Sequence, residues 1–124
     1  MLVADTSANV AVGLVSAIHF MIAFAEIFLW NRLYPRLKQF SFTPGEAAKA
    51  GPIVANAGLY NAFLAAGLLW SQTRMNDQSV RLFFLTCVMV AGIYGAVTLK
   101  APKTLGLQTL PALIAASLVW IASQ

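Results

Sequence analysis

Four apolar runs, each about the length needed to cross a bilayer, leave this chain few ways to fold. They fall at about 7–30, 51–70, 80–99 and 104–123, with short polar stretches between them. A hydrocarbon core about 30 Å thick takes roughly 20 helical residues, and it holds no water to satisfy an open backbone. Each run is therefore expected to be a helix. Only 10% of the residues are charged, against roughly 25% in a soluble domain. Polar groups this scarce cannot cover a surface in water, so lipid is the expected solvent. The sequence predicts one all-α domain over residues 1–124, a four-helix transmembrane bundle with up-down topology. In a bacterium its place would be the plasma (inner) membrane.

The polar stretches carry the punctuation. The first run lacks a basic start and is longer than the apolar core of a secretory leader, so it is read as a span rather than a cleaved segment. Thr43-Pro44-Gly45-Glu46 has the residues of a helix start, with Thr as cap, Pro in the first position and Glu in the third. A short helix is expected there, ahead of a second span that has Pro52 in its first turn or kinked by it. Asn76-Asp77 suits a turn, and Pro111 should bend the fourth span. Trp30, Trp70 and Trp120 lie near span ends, as in an interfacial aromatic belt. The first and third loops hold Arg32, Arg36, Lys38, Lys49, Lys100 and Lys103, and the second holds Arg74 and Arg81. Positive charge stays inside, so both termini are expected to be non-cytoplasmic. The net charge of +4 is spread between apolar runs rather than gathered in a block. That distribution orients spans, and no nucleic-acid partner is expected.

Ser16–Trp30 is the most unusual stretch, because it carries the only histidine and a carboxylate inside an apolar run. His19 and Glu26 are two helical turns apart on one face, about 10 Å along the axis. A charge at membrane depth must be paired, neutralised or used. With the first span running inward, Glu26 falls toward the cytoplasmic end. Asn56, Tyr60 and Asn61 of the second span, Tyr94 and Thr98 of the third and Gln108 of the fourth fall at middle or cytoplasmic depth. Facing one another, they would line a pocket closed on the outer side. Glu26, His19, Tyr60 and Tyr94 are then the candidate catalytic groups, and Asn56, Asn61, Thr98 and Gln108 the candidate substrate-binding groups. One His and one Glu are too few for a closed zinc site, so no metal is expected; His19 remains a possible haem ligand and the cofactor is unknown. Cys87 reads as a small buried hydrophobe.

Three functions fit this pattern. One is a membrane-embedded enzyme or binder for a small lipophilic molecule, such as an epoxide or carbonyl compound to be isomerised. There Glu26 is general acid or base, and His19 is the second proton-transfer group or a cofactor ligand. Another is a small proton-coupled transporter or exporter, and the third is a structural or assembly subunit without chemistry. Small residues four apart, Ala91/Gly95, Gly92/Ala96 and Ala112/Ala116, permit close helix contact within or between copies, and a homo-oligomer is expected. The stretch Ala57-Gly58-Leu59-Tyr60-Asn61-Ala62 echoes Ala91-Gly92-Ile93-Tyr94-Gly95-Ala96 on a span of opposite direction. An inverted duplication and a shared packing need both explain it.

His19 through Trp30 (HFMIAFAEIFLW), Asn56–Leu68 (NAGLYNAFLAAGL), Gly92–Thr98 (GIYGAVT) and Gln108–Ala112 (QTLPA) together resemble the small integral membrane proteins of the DUF1304 family. The likeness runs in order along nearly the whole chain. It implies a four-helix membrane fold and no established activity. The family pattern carries a Gln just before Gly-Leu-Tyr-Asn, where this sequence has Ala57.

Overall fold

The first run forms one helix, α1 (Leu2–Phe28), with small or apolar residues at nearly every turn and no proline to interrupt it. In the computed structural model, which describes residues 2–37, 40–75 and 77–124, every long element is helical and no strand occurs among the described residues. A short helix α2 (Trp30–Leu33) and a single 3₁₀ turn at Tyr34–Arg36 lead toward α3 (Pro44–Trp70). After a π-helical turn at Ser71–Met75 come α4 (Gln78–Thr98), a second π turn at Leu105–Thr109 and α5 (Leu110–Ala122). Four of these helices, α1, α3, α4 and α5 with its π turn, are long and apolar enough to cross a membrane. The chain is an all-α, multi-pass bundle. Lys38, counted above among the loop charges, and Asn76 of the Asn76-Asp77 turn lie outside the described residues.

Local chemistry sets the helix ends. Thr43 caps α3 in a full capping box: its Oγ1 accepts from Glu46 N at 3.3 Å, and its own N–H donates to Glu46 Oε2 at 2.8 Å. The segment capped by Thr43 does not form a short helix of its own. α3 runs unbroken from the cap to Trp70 and carries Pro52 in its interior. One lost hydrogen bond is tolerated where the flanking turns stay paired. Asp77 caps α4 through its carboxylate, which accepts from Ser79 N and Val80 N. α4 ends with Lys100 in the left-handed region (φ 49°) and Ala101 N–H bonded back to Ala96 O, the arrangement usually given to glycine. Pro111 stands just after a π turn. Leu110 N–H reaches Leu105 O, five residues back, and the wider turn makes room for the ring.

The helices bury stripes of period 3.6. On α1 the stripe is Ala8, Val12, Val15, Ser16, His19 and Ala23. α1 lies between α3 and α5, while α4 packs on α5 and its π turn and more lightly on α3. The main apolar core joins Ala8, Val12 and Val15 to Leu68, Leu85, Val88, Ala112, Ala115 and Val119. Large apolar side chains such as Leu14, Phe24, Ile53 and Val97 cover the outside, as a surface solvated by lipid requires.

The two echoing stretches share a packing task. A Cβ at Gly58 would stand 2.9 Å from Ile27 Cγ1 and 3.0 Å from Glu26 Cβ, and one at Gly92 would stand 2.9 Å from Thr109 N. Each glycine lets a backbone approach, α1 at Gly58 and the second π turn at Gly92. Gly92 and Ala112, two of the small residues noted above, are thus buried within the chain itself.

Candidate functional site

Glu26 sits two residues before the end of α1, where α1 crosses α3 over Gly58. Asn61 is one turn further along α3 and donates from Nδ2 to Glu26 Oε2 at 2.9 Å. Glu26 forms no ion pair among the described residues, and Oε1 receives no hydrogen bond from them. The carboxylate is half-buried, held on one side and open on the other.

Two cavities meet at this residue. The first, about 380 Å³, is apolar and partly open, with Leu37, Phe40 and Phe42 after α2 along one side. Trp30 joins them, and Ile53, Val54 and Ala57 of α3 and Leu99 of α4 line the rest. The rings brace one another: Trp30 meets Phe42 edge-on at 5.8 Å between centroids, and Phe40 stacks on Phe42 at 5.4 Å. The second cavity, about 400 Å³, opens on the other side of α3. Its walls are Glu26, Ile27, Phe28, Trp30 and Asn31 against Ala48, Gly51, Pro52 and Ala55. Trp30 lines both and is fixed by its indole N–H, which donates to Ala47 O at 2.8 Å. The ring lies over Gly51, where a Cβ would stand 3.4 Å away in ordinary contact.

His19 lies deeper in the same α1–α3 seam and is fully enclosed, with 0% of its surface exposed. Its Nδ1 is 2.9 Å from Val15 O, which makes Nδ1 the protonated nitrogen. Nε2 has no hydrogen-bond partner among the described residues. Beside it, Ser16 Oγ donates to Ala65 O at 2.8 Å and ties the two helices together. His19 lines neither cavity at Glu26. A haem iron needs an imidazole nitrogen facing an open space as large as a porphyrin, and the packed surroundings of His19 do not fit one.

The other sequence candidates separate. Asn61 alone joins Glu26. Tyr60 and Tyr94 are 60% and 69% exposed, on the outer faces of α3 and α4. Asn56 is exposed, and so is Thr98, whose hydroxyl bonds Tyr94 O within its own helix. Gln108 is half-buried in the second π turn, its Cβ against Gly92. The groups that sequence reasoning passed over are Trp30 as a shared wall, Phe40 and Phe42 as one side of the first cavity, and Pro52 facing Glu26 across the second. A proline nine positions into a helix of small residues was the available signal.

Sequence reasoning also passed over polar groups near the termini. Gln72 donates to Asn9 O at 2.7 Å there, while Asn9 Oδ1 and Gln72 Oε1 are enclosed without partners among the described residues. Arg81, counted above as a loop charge, is buried on α4.

No curated protein and no solved structure matches the chain. A family model described as "Protein of unknown function (DUF1304)" matches residues 13–120, which include most of all four spans and every residue that lines the two cavities. With that match over most of its length, the chain belongs to the DUF1304 family of proteins of unknown function.

Proposed function

We propose that the paired cavities at Glu26 bind a small lipophilic molecule, with the Glu26 carboxyl as its hydrogen-bonding and proton-transfer group. One observation carries the reading: a single carboxylate, one oxygen held by Asn61 and the other without a partner among the described residues, lines an apolar chamber on one side and a more polar one on the other. The apolar chamber suits a hydrophobic body, and the polar one gives the carboxyl a route to water. Isomerising an epoxide or carbonyl compound takes proton delivery and removal. His19 lies outside both chambers, so Glu26 would exchange protons with water beside Asn31. Tyr60 and Tyr94 would meet a substrate only from the lipid side. Binding therefore has more support than catalysis.

The cavity end carries Arg32, Arg36, Lys49, Lys100 and Lys103, so the charge bias argues that ligands enter from the bilayer or the cytoplasm. Reporter fusions at Gln124 should read non-cytoplasmic, and those at Arg36 cytoplasmic; reversed labels would move the entrance to the other side. The binding reading is tested by mass spectrometry of lipophilic extracts from purified protein. The wild type should carry a small molecule that Ala57→Phe, which fills the apolar chamber, loses. Glu26→Gln should keep fold and yield while changing what is retained. Identical extracts from all three proteins would favour a purely structural role.

A further inference from the structure

The second cavity has an unusual set of acceptors. Pro52 has no N–H, so the Ala48 carbonyl, four residues earlier in α3, is denied its helical donor. Ala48 and Pro52 both line the cavity, and Glu26 and Asn31 stand across from them. Gly51 and Ala55 keep the floor low. The chamber thus brings together a carboxylate with no ion pair among the described residues, a residue to whose carbonyl Pro52 cannot serve as helical donor, and Asn31 with its side-chain amide, next to Trp30.

From this we infer that the cavity is a subsite for the N–H-bearing ammonium group of a lipophilic amine. This rests on the proposed binding role of Glu26 and names the chemistry that the site prefers. An alcohol brings one donor and leaves an acceptor unmet, whereas a primary ammonium brings three donors and the charge that complements a carboxylate. Calcium takes six to eight oxygen ligands and magnesium six, more than this wall supplies. An indole beside the carboxylate favours an organic cation. The apolar substituent would extend from Glu26 along Trp30, the wall common to both chambers.

The test is equilibrium dialysis of the full chain in nanodiscs against n-octylammonium, octyltrimethylammonium and 1-octanol, with empty nanodiscs subtracted. Octylammonium should bind about tenfold more tightly than either competitor, because only it supplies charge and N–H donors together. Pro52→Ala returns an N–H to Ala48 O in a residue that favours helix. It should weaken octylammonium about fivefold and change 1-octanol by clearly less, because an alcohol brings a single donor that Glu26 can accept. Glu26→Gln should erase the preference for the ammonium. Equal affinities for octylammonium and 1-octanol, or a preference untouched by Pro52→Ala, would overturn the ammonium subsite. Binding of 1-octanol that Ala57→Phe abolishes would leave the broader lipophile reading standing in that case. Binding of none of the three compounds would remove both.

Discussion

Toward the termini, side chains from all four spans interlock: Val12 and Val15 with Leu68, Leu85 and Val88 and the small face of α5. Toward the loops, the bundle is held by close backbone approach at Gly58 and Gly92, and space is left around Glu26. In lipid no hydrophobic force draws helices together, so stability comes from dispersion between fitted surfaces and from small-residue contacts. The packed half provides the first. The glycine contacts provide the second with little side-chain volume, and this lets a carboxylate, an amide and two cavities occupy the other half.

The comparison can be broken most severely at Leu85, which is fully buried in the packed half. Leu85→Ala should cost about 2–5 kcal/mol, seen as a lower melting temperature in detergent, with ligand affinity unchanged. A loss of affinity equal to the loss of stability would mean that the halves are not separable. Gly58→Ala comes next. Its methyl would stand 2.9 Å from Ile27 and 3.1 Å from Ala23 O, so α1 must move off α3 at a cost of about 1–3 kcal/mol. Unlike Leu85→Ala, it should also weaken ligand binding, because the same shift carries Glu26 away from Asn61. Asn61→Ala should cost about 1 kcal/mol by removing the bond to Glu26, and it should alter binding more than melting. A melting curve and affinity both equal to wild type would show that the hydrogen bond positions nothing. The smallest effect is expected at Lys100, whose positive φ suits glycine. Lys100→Gly should stabilise by about 0.5 kcal/mol and leave binding alone. A destabilised variant would show that the lysine side chain does more there than turn the chain.

Span number, helix type and the capping box at Thr43 were all legible along the chain, because each depends on neighbours within a turn or on average composition. Glu26 and His19 were legible as exceptions for the same reason. The partner of Glu26 was not. Tyr60 and Asn61 are adjacent in sequence, yet about 100° apart around the helix. One turns to the outside while the other reaches Glu26. No local pattern distinguishes them, since either could have faced inward under a small rotation of α3. Pro52 was read as a first-turn residue or a kink because the capped segment and the second span looked like separate helices. Their fusion into one helix places the proline in its interior.

The sequence by itself determined that this protein is four apolar helices solvated by lipid. The reason is thermodynamic: each segment has to satisfy its own backbone and shed its charges to enter hydrocarbon. It also determined that one half of the first span would hold ionisable groups. Only the tertiary structure decided which polar groups meet. The rotation of α3 set by the Gly58 crossing chose Asn61 over Tyr60, and the unbroken course of α3 brought Ala48 and Pro52 opposite Glu26. Those choices depend on contacts between residues tens of positions apart, whose energies exist only once the helices have packed.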